Sequence, residues 1–423
     1  MELTSTAERI DTPRVHSARR QPARPDPATW IAVLFALTFG LQRISVPGIS
    51  IPVTVPIACL WVGLALLRGL VTIDPRRFVI WCLAAAASGV MVFPQLIFVA
   101  SPFVSFNSWA LWMVIWLPLV VRLRDRSRLA YLRTLRAVAH VGLGLAALSI
   151  AFIVSQLLGL EYYDWLAHVA PDNLLVHGYL TSYPITYGSP IFKSNGWVAL
   201  EPSFMSFMIG VCLVAALVTR MSVVKVLVLV AGLLSTVAGS GMAVVAVYVV
   251  SLLLVGRIGN LRRYALPTLL LVGAFTTTIF GQAVSERVLE FGDPRSSTSL
   301  RTTEPYVQLW PFWVNDPVSV VIGQGPGSSA EIVRGLAIIG LLVPNTAKVL
   351  FDYGLVGGTG LIILMIFTYV RSPEPLFALS LAASMFLLQT ASQPLVICSI
   401  MLFAFWSPAP TDDLAELRTG DPP

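Results

Sequence analysis

The sequence predicts an all-α integral membrane protein with about twelve transmembrane helices, and three observations lead to this prediction. Hydrophobic residues make up 56% of the 423 residues and charged residues only 12%, with a mean hydropathy of +0.79. The apolar residues fall into runs close to the roughly 20 residues that a membrane-crossing helix needs. Lysine and arginine are dense in every second loop and sparse in the loops between. We expect a polytopic membrane domain over 29–407, a disordered basic cytoplasmic tail at 1–28 and a cytoplasmic tail at 408–423.

The predicted spans come from apolar runs, and two closely spaced pairs leave their number open. The spans are 29–43, 51–67, 78–99, 108–121, 137–160, 197–219, 222–238, 241–256, 265–283, 346–370, 376–391 and 394–407. The pairs 222–238/241–256 and 376–391/394–407 have the tightest turns. Either pair could be one broken or re-entrant element.

The distribution of positive charge predicts the orientation. With a cytoplasmic N-terminus, 21 of the 28 lysines and arginines fall on the cytoplasmic side and 7 on the other side. Cytoplasmic loops of membrane proteins carry this excess. We therefore expect a multi-pass protein of the cytoplasmic (inner or plasma) membrane with both termini in the cytoplasm. Arginines at helix ends, next to anionic lipid head groups, also account for the net charge of +6 and argue against nucleic acid as a partner.

Cofactor chemistry has no support in the sequence. The chain contains neither a GxxxxGK[ST] nor a GxGxxG phosphate-binding motif with its acidic residue, and the outer segments hold no cluster of acids that would bind a metal. We expect no metal and no cofactor. All four cysteines lie in predicted spans and are expected to be packing residues: Cys59, Cys82, Cys212 and Cys398.

Two segments on the outer side are long and polar enough to hold a site, about 161–196 and 284–345. The first leads through Lys193 to Glu201-Pro202-Ser203 at the start of the sixth span. Proline suits the first turn of a helix, so Glu201 could simply be a capping carboxylate. A carboxylate at membrane depth is costly, however, and by default indicates a functional site.

The same segment is rich in aromatic residues and holds two histidines, His168 and His177. The aromatic residues could form a belt at the head-group level or platforms on which sugar rings stack. The histidines could be solvated or could accept a proton. The aromatic residues are Tyr162, Tyr163, Trp165, Tyr179, Tyr183, Tyr187 and Trp197.

The second segment combines cations with glycine turns. Arg287, Arg295 and Arg301 stand among serines and threonines, followed by Trp310 and the turn 323–327. Cations and free backbone N–H groups are what a phosphate-binding surface needs, although merely solvated arginines are the alternative.

Lys348 and Asp352 follow at the start of the tenth span, just after Asn345. They are four residues apart and share one helix face. They could neutralise each other, or Lys348 could also face an anionic substrate.

Four short sequence patterns lie in or between these segments and the predicted spans. They are Lys193, Gly196 and Glu201-Pro202-Ser203; Gly239-Ser240-Gly241; Arg301, Trp310, Pro317, Gly323, Gly325 and Gly327; and Asn345, Asp352, Gly354 and Gly357. In this order, over about residues 80–405, they resemble the O-antigen polymerase and ligase family of polytopic membrane glycosyltransferases. Pro344 and Gly241 stand where ligases of that family carry histidine and arginine, so the chain is more similar to the polymerase side.

The resemblance implies a metal-independent glycosyltransferase of the cell envelope. It would polymerise or transfer an oligosaccharide carried on polyprenyl diphosphate at the outer face of the cytoplasmic membrane. The donor and a glycan acceptor would be its substrates, membrane lipid its surroundings, and a chain-length regulator or flippase a possible partner.

The resemblance also implies roles for residues. Glu201 would orient or deprotonate the acceptor, with His168 or His177 as the other candidate bases. Arg301, together with Lys193 or Lys348, would stabilise the departing diphosphate. The remaining predicted substrate-binding residues are Arg295, Asn345, Asp352, Ser203 and Trp310. We expect the regions around Glu201 and Arg301 to meet at a pocket open to lipid.

Four other classes compete with this interpretation. A ligase-type transferase remains possible within the same family. A secondary transporter would place charges at the midplane and show internal repeats. A flippase of lipid-linked glycan would need a polar path through the spans. A polyprenyl-phosphate glycosyltransferase would carry acids in its first outer loop, and residues 45–50 contain none.

Overall fold

A computed structural model describes residues 26–47, 51–99, 103–177, 179–186, 188–289, 299–338, 340–370 and 372–384, most of which are helical. The predicted tail at 408–423, the last span at 394–407 and most of the tail at 1–28 lie outside these residues. The α-helices are α1 (Pro27–Gly40), α2 (Thr54–Leu67), α3 (Pro75–Val90), α4 (Val92–Phe98), α5 (Phe106–Trp116), α6 (Arg128–Leu157), α7 (Trp165–Val169), α8 (Pro202–Val218), α9 (Val223–Ser235), α10 (Gly239–Leu254), α11 (Arg262–Thr276), α12 (Ile279–Leu289), α13 (Ser299–Thr302), α14 (Glu304–Val314), α15 (Pro317–Ile322), α16 (Ser328–Gly335), α17 (Asn345–Val370) and α18 (Pro375–Ala383).

Strand structure in this part of the chain is limited to two small antiparallel pairs. Strand β1 (Ser45–Val46) pairs with β2 (Ile51–Pro52), with Val46 opposite Ile51. Strand β3 (Val71–Ile73) pairs with β4 (Val121–Leu123), with Thr72 opposite Arg122. The prediction of a helical protein is confirmed.

In the described part of the chain, three helical stretches are long and apolar enough to cross a membrane. They are Pro75–Phe98, Arg128–Leu157 and Asn345–Phe367, and a bent pair, Arg262–Thr276 with Ile279–Ser285, would make a fourth. Six shorter apolar helices coincide with other predicted spans: Pro27–Gly40, Thr54–Leu67, Phe106–Val120, Pro202–Val218, Val223–Ser235 and Gly239–Leu254. The number of twelve transmembrane helices is therefore not confirmed.

Two helix starts differ from the prediction. Helix α6 begins at Arg128, nine residues before the predicted 137, and Ser127 Oγ caps it by accepting from Ala130 N at 3.2 Å. Arginine and leucine are good helix formers, so the charged turns simply continue the helix. Helix α8 begins at Pro202 rather than 197, because Trp197 has a φ of 60° that a right-handed helix excludes.

The predicted span 265–283 is sharply bent, because α11 and α12 meet at 94°. The hydroxyls of Thr276, Thr277 and Thr278 each donate to a backbone carbonyl three residues earlier, at 2.6–2.7 Å. Side chains that bond to nearby carbonyls compete with the helical pattern and favour a bend. The pair 222–238/241–256 forms two helices, α9 and α10, joined by residues 236–238.

Helix α8 is the centre of the bundle, and α6, α9 and α10 pack around it. Fifteen of its 17 residues are buried, so protein covers it on nearly every side. Gly241 on α10 lies so close that an added Cβ would overlap with the carbonyl oxygen of Ser206 on α8. This packing holds the N-terminal end of α8, and with it Glu201, in one place.

Candidate functional site

Glu201 and Arg301 form an ion pair across 100 residues of sequence. Arg301 Nη2 donates to Glu201 Oε2 at 2.7 Å, and Arg301 Nη1 donates to Ser203 Oγ at 2.9 Å. Ser203 Oγ in turn donates to the same Glu201 oxygen at 3.0 Å. The side chains of Glu201 and Arg301 are only 6% and 16% exposed. Three predicted site residues thus form one closed, largely buried cluster, which we call the Glu201 cluster.

The hydrogen bonds of Glu201 exclude one of the two interpretations of this residue, that of a carboxylate that caps α8. Glu201 is extended, with φ −146° and ψ 159°, and Pro202 provides the first turn of α8. Its carboxylate makes no capping hydrogen bond to the first turn of α8. The side chain is therefore directed to Arg301 and Ser203, and the interpretation of Glu201 as a capping carboxylate is wrong.

Arg301 reaches the cluster from the short helix α13. The neighbouring Leu300 accepts from Leu342 N at 3.1 Å through its carbonyl oxygen, which holds α13 against the approach to α17. Within the described part of the chain, the buried Nε of Arg301 has no hydrogen-bond acceptor. The Nε–H of the guanidinium is therefore available for a further oxygen.

Tyr179 closes the cluster on the side of the first outer segment. Its ring centre lies 5.5 Å from that of Phe204, the third residue of α8. Burial, and then the charge of Glu201, raise the pKa of Tyr179 to about 12 despite the opposing charge of Arg301. Tyr179 is therefore a neutral phenol at physiological pH, able to donate a hydrogen bond.

Lys348 and Asp352 form a second cluster at the start of α17. Lys348 Nζ lies 2.7 Å from Asp352 Oδ2, and Asp352 is fully buried. The two carboxylate oxygens also accept from Gly327 N at 3.0 Å and Ser329 N at 2.9 Å, and from Ser328 Oγ at 3.3 Å. A buried carboxylate needs such donors. Asp352 thus binds Lys348 and also holds the turn before α16.

The glycine turn 323–327 does not offer its amides as a free anion-binding surface. Besides Gly327 N, Gly325 N donates to Asp352 O at 3.0 Å and Gln324 N to Phe351 O at 2.9 Å. Gly323 N donates to Ser319 O at 2.8 Å. The expectation that these amides cradle phosphate is contradicted, because α17 and the turn's own helix already occupy them.

The other predicted site residues differ widely in burial. Lys193 is 3% exposed, and its Nζ lies 5.6 Å from the centre of the Tyr183 ring. Asn345 is fully buried at the start of α17. Trp310 is 54% exposed and meets the Trp313 ring edge-on, with centroids 5.8 Å apart. Arg295 lies outside the described residues.

The two candidate histidines are exposed and bond within their own segment. His168 Nδ1 lies 2.8 Å from Asp164 O and its ring stacks on Tyr163. His177 Nε2 lies 2.9 Å from Asp172 O. Glu201 is thus the candidate base that directly contacts Arg301.

Sequence reasoning missed a further buried ion pair. Arg43 Nη2 lies 2.5 Å from Asp164 Oδ2, and Arg43 Nη1 donates to Trp197 O at 3.1 Å. Thr181 Oγ1 donates to the same Asp164 oxygen at 3.1 Å. The available signal was an isolated arginine in the first outer loop and an acid among aromatic residues in the next outer segment.

The described residues contain no group of three or more histidine, cysteine and acidic residues that could hold a metal. An apolar cavity is lined by Trp30, Trp61 and Leu70 among others, and none of the candidate site residues lines it. The expected pocket between Glu201 and Arg301 stays a prediction.

Over the residues that the structure describes, the chain is mostly helical, has three helices that could cross a membrane, and carries a buried charged cluster at the end of its central helix. The chain matches no protein-family model and no curated protein.

Proposed function

We propose that this protein is a membrane glycosyltransferase that polymerises oligosaccharide carried on a polyprenyl diphosphate at the outer face of the cytoplasmic membrane. The observation that carries the proposal is the Glu201 cluster. It combines a carboxylate and a guanidinium, both largely buried, at the end of a helix that protein surrounds. A buried charged pair is costly, and perturbed or paired charges of this kind concentrate at functional sites.

A location in the membrane agrees with the surfaces of the helices. Large apolar side chains remain uncovered on them, such as Leu67 at 85%, Phe93 at 70% and Ile97 at 72% exposure. Lipid would cover such side chains without cost. In the proposed topology the Glu201 cluster lies on the outer side, between the segments 161–196 and 284–345.

Arg301 would bind the diphosphate of the donor. Its guanidinium presents a planar set of donors that suits phosphate oxygens, and its Nε is still without an acceptor in the described residues. During the reaction the bond between the anomeric carbon and the diphosphate breaks, and negative charge grows on the departing group. By analogy with oxyanion donors, removing such a cation would raise the barrier by about 3–4 kcal/mol.

Glu201 would accept the proton of the acceptor hydroxyl while the oxygen of that hydroxyl bonds to the anomeric carbon of the donor. The proton then resides on Glu201 and the electron pair of the broken bond on the lipid diphosphate. General base catalysis typically contributes roughly 10²–10⁴ in rate. An anion that draws the Arg301 guanidinium toward itself would lengthen the 2.7 Å bond to Glu201 and leave that carboxylate oxygen open to the acceptor hydroxyl. Donor binding and base activation would thus be coupled.

The test uses a strain that lacks the gene, complemented with Glu201→Gln, Arg301→Ala or a control. We expect both variants to insert into the membrane at normal abundance and to make no polymer. The cell-surface glycan should then carry single repeat units. The matched control is Arg334→Ala, which removes an exposed arginine of the same outer segment that pairs with Glu331.

Each other outcome has a defined meaning. Normal polymer from both variants would remove the cluster from the mechanism. Unattached full-length polymer in the deletion strain would indicate a ligase. Lipid-linked repeats held on the cytoplasmic side would indicate a flippase or another transporter.

A further inference from the structure

Arg43 connects the end of the first helix to the chain that leads into the Glu201 cluster. It is 5% exposed, and its two terminal nitrogens have different acceptors: Asp164 Oδ2 at 2.5 Å and Trp197 O at 3.1 Å. The planar guanidinium can meet both at once, whereas an ammonium group is a single point of charge. Arg43 therefore joins two separate stretches of the first outer segment.

Trp197 is held in a backbone conformation that bulky residues rarely adopt. Its φ is 60°, in the left-handed region, directly after Gly196 with a φ of 58°. Such a conformation persists only where the surroundings hold it. Three contacts do so: Trp197 N donates to Asn195 Oδ1 at 2.9 Å, the indole meets the Phe152 ring at 5.0 Å, and Arg43 holds the carbonyl oxygen.

The turn at Trp197 is tied directly to the start of α8. Ala199 N donates to Asn195 O at 3.0 Å, and Asn195 Nδ2 donates to Thr181 O at 3.0 Å. An added Cβ on Gly196 would overlap with the side chain of Met205 on α8. Glu201 lies four residues beyond Trp197, so a change in this turn is passed to the carboxylate.

From these contacts we infer that Arg43 is a positioning residue, which sets Glu201 against Arg301 by holding the carbonyl of Trp197. Asp164 keeps the guanidinium in place and carries a depressed pKa. Burial of Asp164 alone would raise that pKa, but the hydrogen bond and charge of Arg43 outweigh it. The consequence for catalysis rests on the proposed function, whereas the consequence for the backbone does not.

Two conservative variants distinguish a role of Arg43 in positioning Glu201 from a role in merely linking the loops. Arg43→Lys keeps the charge opposite Asp164 but has no second nitrogen for Trp197 O. Asp164→Asn removes the charge but leaves Arg43 free to donate to Trp197 O and to the amide oxygen. Arg334→Lys, at an exposed position in the other outer segment, controls for an arginine-to-lysine change.

Two readouts are needed. The first is hydrogen exchange of the purified full-length protein. The amides of 197–201 should exchange faster than in the wild type in Arg43→Lys, and at the wild-type rate in Asp164→Asn. The second is turnover with lipid-linked oligosaccharide extracted from the deletion strain. We expect kcat to fall by about tenfold to a hundredfold in Arg43→Lys, the scale of a small misplacement of a catalytic group, with KM for the donor nearly unchanged.

Three results would overturn the inference. One is wild-type exchange over 197–201 in Arg43→Lys. Another is wild-type turnover in the same variant. The third is an Asp164→Asn variant that is at least as impaired as Arg43→Lys, because this would make the ion pair alone the important contact. If Glu201→Gln and Arg301→Ala are fully active while the exchange result holds, the proposed function fails and the role of Arg43 in the backbone stands.

Discussion

Gly323 and Gly354 touch backbone to backbone, and neither position has room for a side chain. Gly323 ends α15 with a φ of 83°, and Gly354 interrupts the helical pattern inside α17 with a φ of 66° and a ψ of −172°. An added Cβ at either glycine would overlap with the backbone of the other. This contact packs the turn between α15 and α16 against α17.

We expect Gly354→Ala to destabilise the protein, because alanine meets both a left-handed backbone and an occupied space. With a φ of 66° and a ψ of −172°, this backbone is one that only glycine adopts readily, and it costs a residue with a Cβ about 1–3 kcal/mol. The measurement is the apparent melting temperature in detergent. Gly144→Ala is the control, since nothing lies within 4 Å of a Cβ at that helical position. Equal melting temperatures for both variants would contradict the contact.

The crossing of α8 and α10 gives a second pair of glycine variants. In Gly241→Ala the new methyl group would overlap with Ser206 O, and overpacking of this kind costs about 1–3 kcal/mol. At Gly239, two residues earlier, nothing lies within 4 Å of a Cβ. We expect low abundance and early melting for Gly241→Ala and wild-type behaviour for Gly239→Ala. A reversed order would show that the helices do not cross at Gly241.

Replacement of Asp352 by alanine should be more harmful than any change at the exposed outer surface. It leaves Lys348, which is 14% exposed, without its partner and removes the acceptor for Gly327 N and Ser329 N. Breaking a buried ion pair by removing one partner costs about 3–5 kcal/mol. Thermal melting and limited proteolysis near residues 323–329 are the measurements, with Glu331→Ala as the exposed control. Undiminished stability would mean that Asp352 does not hold the glycine turn.

The depressed pKa of Asp164 predicts a loss of stability in acid. The ionised carboxylate is favoured in the folded protein, so its contribution is complete above the unfolded value of about 3.9 and is lost as the pH falls through the lower folded value. We expect the melting temperature of the wild type to drop more steeply below about pH 4 than that of Asp164→Asn. Asp172→Asn, an exposed acid in the same segment, serves as the control. Parallel acid profiles of wild type and Asp164→Asn would contradict this assignment.

The proposed orientation can be tested with single cysteines in a cysteine-free variant. Cysteines replacing His168 or Arg334 should react with a membrane-impermeant maleimide in intact cells. Cysteines replacing Arg124 or Arg257 should react only after the membrane is permeabilised. All four positions carry exposed side chains, so accessibility within the fold does not limit the reaction. Labelling of Arg124→Cys in intact cells would reverse or abolish the proposed topology.

The sequence predicted the helical architecture and the residues of the Glu201 cluster because both leave local signals. Apolar runs indicate helices, and a carboxylate at the end of such a run is costly enough to single out Glu201. The resemblance led us to expect that the regions around Glu201 and Arg301 meet, and the 2.7 Å contact between the two side chains agrees with this. The shared pocket open to lipid stays a prediction.

What the sequence did not predict depends on contacts between distant parts of the chain. The pairing of Arg43 with Asp164 spans two loops and follows no periodicity. The glycine turn at 323–327 has the composition of a phosphate-binding turn, yet acceptors on α15 and α17, Asp352 among them, bind its amides. The bend at Thr276–Thr278 was hidden because threonine hydroxyls bond to carbonyls inside an otherwise apolar run.

The stretch 302–322 is fixed at both ends. Arg301 is bonded to Glu201 before it, and the backbone of Gly323 packs on that of Gly354 after it. Outer loops normally accommodate extra or missing residues easily. Here an insertion or deletion of even one residue would have to be absorbed by unwinding α14 or α15, or else shift Arg301 off its partner. Natural relatives of this protein should therefore keep the length of this stretch constant and differ in length elsewhere.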